Sequence, residues 1–427
     1  MGFLSPYRVL DITNERGLLA GKIFADLGAD VIQVEPIGGS SARHIGPFVA
    51  EESDAEHSLY WDAYACNKRG ITCNLDSEEG KDLFRRLCAS ADFLFESEAP
   101  GVMAQRGLSY AALQDVNPRL IYTSITPFGS AGPKATYADS EIIIWGAGAA
   151  LYANRDGDRP PLRISVPQAY LHAAADAAGG AMIAHFARLR SGLGQHVDVS
   201  AQASVGQATL SGILGAAVGD MTYEMNAQGP RRLEARKRVI DQSGSGSATR
   251  RSKWQVQDGY IEMHLTMGPS VGRFTNTFMA WMREEGAIDD ETANIDWTQI
   301  PNLLSSGQIS FDEIDRIYAL VATFLQPRTK KELMDVAIKR KLLLAPIYSI
   351  ADLAESPHLA ARELWLDVEG NDGRQRRLPG RFARTTADAF AFKRPAPHLG
   401  EHNRDVFAEL LGLSEADIVD LARRGVI

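Results

Sequence analysis

Residues 7–40 read YRVLDITNERGLLAGKIFADLGADVIQVEPIGGS, and this stretch decides the fold class. Val9-Leu10-Asp11-Ile12-Thr13 is a short run of β-forming residues. Leu18 to Leu27 carries apolar residues at helical spacing up to Gly28. Val31-Ile32-Gln33-Val34-Glu35 is a second β-type run that Pro36 ends, and Gly38-Gly39-Ser40-Ser41 makes a loop. Strand, helix and strand in this order form one βαβ crossover unit, the building block of a parallel sheet.

The same rhythm continues outward through Gly70 to Leu75, a helix over Ser77 to Ala89, Phe93-Leu94-Phe95, a helix near Tyr110 to Val116, and Leu120 to Ser124. The chain is therefore expected to be α/β, with a parallel sheet and helical crossovers. A long apolar helix follows from about Pro167 to Arg190, and Gly192-Leu193-Gly194 stops it before the strand His196 to Val199. Arg231 to Lys253 is polar, and Gln242 to Ser247 alternates glycine with serine, which reads as a loop rather than a core element. Beyond it, Trp254 to Leu265 reads as a strand pair around Asp258-Gly259. Helices are expected at Arg273 to Glu284 and Phe311 to Phe324. After Thr329 the α/β pattern returns through Ala345-Pro346-Ile347 to a last helix, Ser414 to Arg424, which Ser414 can cap.

Composition excludes several classes. The 427 residues exceed one ordinary core, so two domains are expected. Lys and Arg total 45 against 54 Asp and Glu, a formal charge of −9, and no basic run stands out, which argues against nucleic acid. No apolar stretch approaches the roughly 20 residues that cross a bilayer, so no membrane partner is expected. Cys66, Cys73 and Cys88 form no CxxC pair, and no cleavable leader is read at the start, so the expected compartment is the cytoplasm. The nine histidines offer one HxxxH spacing, His398 to His402, which runs through Gly400 in a turn rather than along a helix, so no metal is expected. No permanently bound cofactor is expected either.

Several segments, in order, resemble one family. They are Leu27 to Pro36 (LGADVIQVEP), Asn67-Lys68-Arg69-Gly70-Ile71, Pro100-Gly101, Asn117-Pro118-Arg119-Leu120-Ile121 and Ser191 to Val199 (SGLGQHVDV). Asp258-Gly259-Tyr260-Ile261, Ala345-Pro346-Ile347 and Pro397-His398-Leu399-Gly400-Glu401-His402 complete the set. Their order and spacing resemble the class III coenzyme A transferases, the CaiB/BaiF group that contains formyl-CoA transferase. The resemblance implies a large Rossmann-like domain whose parallel sheet is formed from both chain ends, a smaller inserted α+β domain, and an interlocked dimer. On that pattern residues 1–205 and 329–427 make the large domain, 206–230 a linker and 231–328 the small domain.

The resemblance also implies a chemistry. Family members move CoA between carboxylic acids through a carboxylate that attacks the acyl thioester and then carries CoA as its own thioester. Only a carboxyl group supplies the acyl carbon. Aligning without gaps from Gln195 back through Arg188 and Gly180 places Tyr170 where the family has its aspartate. A phenol has no acyl carbon. No catalytic residue is therefore expected in this chain itself. Asp176, Asp139, Glu141 and Glu15 are the carboxylates weighed as replacements. Asp176 lies about 240° round the helix from Tyr170, off its face. A racemase-like pair of proton carriers is absent too, since Ser140 and Tyr170 stand in its places.

The family's CoA contacts are degraded at Pro36, Asp76, Ser97, Glu98 and Gln105, where cations or packing groups are replaced. Arg16, Arg43, Lys68, Arg69, Arg106 and Lys134 are the cations left to meet CoA phosphates. The resemblance implies that Gly244-Ser245-Gly246 corresponds loosely to the family's glycine-rich loop, expected to cover the acyl group in a partner subunit's site.

These losses lead to an expected role. The chain resembles the acid-lacking subunits of heteromeric members that use succinyl-CoA and benzylsuccinate in anaerobic aromatic degradation. Its expected partners are a homologous subunit carrying the catalytic aspartate, an acyl-CoA and a carboxylic acid, with the CoA thioester held as substrate in the partner. A self-sufficient homodimer using a displaced carboxylate is the alternative, and a non-enzymatic binding or scaffold homologue is the alternative of another class.

Overall fold

The computed structural model describes residues 2–49, 55–153, 160–219, 252–370, 372–380, 382–387, 390 and 392–427. The chain divides into two compact units: Met1–Gly229 with Ala360–Ile427, and Pro230–Leu359.

The first unit holds six strands: β1 (Arg8–Asp11), β2 (Asp30–Glu35), β3 (Arg69–Thr72), β4 (Phe93–Glu96), β5 (Ile121–Thr126) and β6 (His196–Ser200). They form one parallel sheet in the order β3-β2-β1-β4-β5-β6. The crossovers include helices α1 (Leu18–Asp26), α2 (Leu59–Ala65), α3 (Glu78–Cys88), α4 (Val102–Gln105) and α5 (Tyr110–Val116). Two short helices, α6 (Glu141–Ala147) and α7 (Ala150–Ala153), precede the 23-residue α8 (Ala169–Ser191).

Both faces of the sheet are covered, as its almost uninterrupted apolar strands require. On one face Val9, Val31, Phe93, Phe95, Ile121 and Ile125 meet Phe24 of α1 and the alanines of α8. Ala169, Ala173, Ala174, Ala177, Ala178, Ala181 and Ala184 recur at helical spacing and are all buried, so α8 lies close to the strands. The connection out of α8 is equally tight. A Cβ on Gly194 would sit 1.9 Å from the Leu120 carbonyl oxygen, which reserves that position for glycine. On the other face Leu10, Ile32, Ile71, Leu94 and Tyr122 pack with Leu83, Phe84 and Leu87 of α3 and with Phe407, Ile418 and Leu421.

That second layer shows how the C-terminal end enters the large unit. It comes as the helices Asn403–Leu411 and Glu415–Arg423, and all six strands of the main sheet lie between Arg8 and Ser200, which corrects the expectation of strands from both chain ends. Polar residues set the seam: Asn403 accepts from the Thr72 amide at 2.8 Å, and the Asn74 amide donates to the Val426 carbonyl at 2.9 Å. The hairpin β10 (Trp365–Glu369) and β11 (Gln375–Pro379) is a separate antiparallel pair.

The second unit is built on a three-stranded antiparallel sheet of β7 (Lys253–Val256), β8 (Gly259–Met263) and β9 (Leu344–Ile347). The hairpin turns at Asp258-Gly259 as read from the sequence. Its core gathers Trp254, Ile261, Phe278, Trp281, Trp297, Ile317, Val321 and Leu344. The sequence boundary at 328 falls inside this unit. The helix Lys330–Arg340 buries Leu333 and Ala337 in the same core, and β9 pairs with β8, so the chain stays in the unit to Leu359. Residues 220–230 of the 206–230 linker, the start of the small domain at 231 and the Gly244-Ser245-Gly246 loop lie outside the described residues.

Candidate functional site

In a sheet of this order the chain leaves β1 toward one side and β4 toward the other, which opens a crevice beyond their carboxyl ends where ligands of open α/β folds bind. Residues following β1 and β4 line it. The Asn14 amide donates to Ser97 Oγ and the Ser97 hydroxyl donates to Asn14 Oδ1, both at 3.1 Å, so one polar pair bridges the two strand ends. Asn14 Oδ1 also accepts from the Arg16 amide at 3.1 Å, which fixes the start of the Arg16 side chain.

Arg16 points to a three-residue cluster. Its guanidinium donates to Asp139 Oδ1 at 2.8 Å, and the Tyr170 hydroxyl donates to Asp139 Oδ2 at 2.5 Å. The guanidinium also stands 5.4 Å from the centre of the Tyr170 ring, within cation–π range. Tyr170 sits in the first turn of α8. Burial and the hydrogen bond to Asp139 push the Tyr170 phenol well above its ordinary range, so it stays a neutral donor.

The other carboxylates weighed as replacements are engaged elsewhere. Glu141 Oε1 accepts from Trp145 Nε1 at 2.8 Å and from the Gln168 and Ala169 amides at 2.5 and 2.9 Å. It thereby caps the start of α8, where amides lack partners within the helix. Glu15 Oε2 accepts from Ser41 at 2.5 Å. Asp176 is exposed on α8 and accepts from Gln207 at 3.3 Å. Of the four, Asp139 is the one hydrogen-bonded to Tyr170. Ser140 is the N-cap of α6, its hydroxyl accepting from the Ile143 amide.

The structure divides the six candidate cations. Lys68 is fully buried and its ammonium donates to Asp11 at 2.8 Å and to the Leu18 carbonyl and Gln33 at 3.0 Å each, which uses all three protons. Desolvation lowers its pKa while Asp11 pulls it back up. A Cβ on Gly21 would come within 2.0 Å of Asp11 Oδ2, so α1 is glycine where it crosses this pair. Arg43 is also buried. It holds Glu35 at 2.7 and 2.9 Å, reaches the Pro397 carbonyl at 2.9 Å, and stacks on Trp61 at 4.0 Å. Arg69 stands at the opposite end of the sheet, bound to Asp30 at 2.7 and 2.9 Å and to Glu409 at 2.8 Å, so it braces the amino ends of the strands rather than the crevice. In this structure these three are paired with acids of the chain's own framework.

Arg106 lies at the carboxyl side but is flanked by Asp76 at 2.8 Å and Glu98 at 3.0 Å, two of the acids expected from the sequence at the family's contact positions. Lys134 is exposed, as are Pro36 and Gln105. The crevice therefore gathers Arg16, with Arg106 beside it in acidic company, and leaves Arg43, Lys68 and Arg69 in the framework.

Sequence reasoning missed Glu96, the last residue of β4. Its carboxyl is 5% exposed, accepts from the Glu98 amide at 2.7 Å, and is pushed up to about 7, by burial first. Ser124, which pairs with Glu96 across the strands, lies 2.9 Å from His196 Nε2 on β6. The available signal was an acid closing an otherwise apolar strand at its carboxyl end.

The histidines of the closing turn serve separate partners. His398 Nδ1 contacts Glu56 at 2.5 Å, whereas His402 Nδ1 accepts from the Gly70 amide at 3.2 Å. Among the described residues no group of three metal-ligating side chains gathers, and no helix is long and apolar enough to cross a membrane. The three cysteines are buried and free.

Comparison with known proteins agrees with this framework. The chain is similar to subunit BbsE of succinyl-CoA:(R)-benzylsuccinate CoA-transferase from Thauera aromatica, with 34% identity over 99% of this chain and 98% of the relative. It is similar to a succinate–glutarate CoA-transferase of Agrobacterium fabrum at 30% identity, covering 95% of each. Its fold matches the crystal structure of a CAIB/BAIF family protein from Brucella suis with a TM-score of 0.73 and 25% identity, over 96% of this chain and 99% of that one. The model of CoA-transferase family III matches residues 4–403, and the chain belongs to that family.

Proposed function

We propose that this chain is the non-catalytic subunit of a heteromeric class III CoA-transferase, paired with a homologous subunit that carries the catalytic aspartate and whose site it completes. One observation carries the reading: a phenol, Tyr170, stands where the family's chemistry needs a carboxylate, and its hydroxyl is bound to Asp139. A phenol cannot become an acyl donor to CoA.

Two further observations support it. Most of the expected phosphate-binding cations are paired with acids of the chain itself, which favours CoA being held in the partner subunit. Ile183, Phe186, Leu189 and Leu193, on α8 and just beyond it, are each more than half exposed, the kind of apolar surface that marks a subunit interface. The substrates of the reading are an acyl-CoA such as succinyl-CoA and a carboxylic acid such as benzylsuccinate, in the cytoplasm. The subunit similar at 34% identity supports that choice.

The test is co-expression. The chain alone and the chain with an aspartate-bearing homologue are assayed for native mass and for transfer of CoA from succinyl-CoA to carboxylic acids. Transfer only by the mixed complex, lost when the homologue's aspartate becomes asparagine, is the expected result. Transfer by the chain alone would sink the reading.

A second reading, a self-sufficient transferase with a displaced carboxylate, is favoured by the contact of Asp139 with Tyr170. It requires activity of the lone chain that Asp139→Asn abolishes.

A further inference from the structure

We propose that Arg16 and Tyr170 form a binding pair for the carboxylate of a small carboxylic acid, and that the chain's own Asp139 occupies this pair until such an acid displaces it. The inference rests on the reading above only for the class of ligand.

The geometry is that of a carboxylate receptor. One donor meets each oxygen of Asp139, the guanidinium at 2.8 Å and the phenol at 2.5 Å. Nothing in this grip depends on the carboxylate belonging to the chain, because a guanidinium and a hydroxyl recognise the group and not its tether. The two donors are anchored independently of Asp139. Arg16 follows Asn14, which Ser97 ties to the end of β4, and Tyr170 stands on α8, whose first turn Glu141 caps.

Asp139 is anchored differently. It ends the irregular stretch 131–138, nearly all of it exposed, with Tyr137 59% exposed. The Asp139 side chain is 11% exposed and is followed directly by Ser140 and Glu141, which cap α6 and α8. An entering acid therefore displaces the side chain and the exposed stretch before it and leaves these caps in place. The Arg16 side chain keeps 28% of its surface accessible, so an acid can approach from solvent. The pair also lies in the crevice at the carboxyl ends of β1 and β4, where ligands of this sheet order bind. Because the phenol remains protonated, it presents a donor rather than a repelling charge. No bond is made or broken here: the acid is held, not activated.

An internal competitor has a measurable signature. If Asp139 fills the pair in about 90–99% of molecules, the apparent affinity for an external acid falls about 10–100-fold. Removing the competitor restores it.

Succinate is titrated calorimetrically into the chain alone, as wild type, Asp139→Ala and Asp139→Asn, with folding of each checked by its melting curve. The expected result is succinate binding about 10–100-fold tighter in Asp139→Ala than in wild type. Adding Arg16→Gln to Asp139→Ala is expected to remove that binding, and Tyr170→Phe to weaken it. Asp139→Asn keeps the shape without the charge and serves if the alanine variant does not fold. Binding no tighter in either folded variant would overturn the proposal, and so would tight binding that survives Arg16→Gln. The readout is binding by the lone chain. Absence of transfer in every mixed complex would therefore sink the subunit reading and leave this one standing, and the reverse result would separate them equally.

Discussion

Lys68 with Asp11 and Arg16 with Asp139 are both lysine or arginine to aspartate pairs in the large unit, yet they differ in almost every physical respect. The first is fully buried, with each proton of the ammonium matched and Asp11 Oδ1 accepting two more bonds from Thr13. The second is partly open, lies in the crevice, and shares its carboxylate with a phenol. A buried, saturated pair cannot exchange partners without stranding a charge in the interior, whereas a pair open on the Arg16 side exchanges partners at smaller cost. The charge type of a residue thus says less about its role than the accounting of its hydrogen bonds.

The contrast is broken most severely by Lys68→Ala, which leaves Asp11 buried without its cation. We expect a loss of about 3–5 kcal/mol in urea unfolding. A loss below about 1 kcal/mol would mean that water reaches Asp11.

Glu96 extends the comparison to pH. Its folded carboxyl titrates at about 7, above the ordinary value of 4.5, because the buried charge is disfavoured. Protonated Glu96 therefore favours the fold below about pH 4.5, and that contribution is lost as pH rises through about 7. The total is about 3 kcal/mol by the ordinary conversion. Urea midpoints between pH 5 and 8 should fall more in wild type than in Glu96→Gln, and parallel curves would contradict the assignment.

Tyr170→Phe sharpens the contrast from the open side. It removes one hydrogen bond from a half-buried pair, so unfolding free energy should fall by only about 1 kcal/mol. Arg106→Gln should do least. Asp76, one of its two partners, is 77% exposed, so a change under about 1 kcal/mol that fades with added salt is expected. A loss of several kcal/mol would show Arg106 to be a framework cation like Lys68.

The alternation of strands and helices was legible because apolar periodicity and glycine stops lie within each element. The hairpin at Asp258-Gly259 and the capped helix after Ser414 were legible for the same local reason. The placing of Tyr170 at the family's aspartate position is an expectation from spacing within one helix and its turn, and it carries over into the proposed function. What each cation does was not, because its partner is remote: Asp11 is 57 residues from Lys68 and Asp30 is 39 from Arg69. The contact of Tyr170 with Asp139 spans 31 residues, with the helices α6 and α7 between them. The return of the chain at 360 rather than 329 was hidden too. β9 reads equally well as a strand of either unit until its pairing with β8 is seen.

The central claim is that no carboxylate of this chain ever carries CoA. Its most direct test is intact-mass spectrometry of the mixed complex after brief incubation with succinyl-CoA and rapid acid quench. The account predicts a CoA thioester on the partner subunit and this chain at its unmodified mass. A CoA adduct on this chain, mapped by peptide analysis to Asp139 or any other carboxylate, would contradict it.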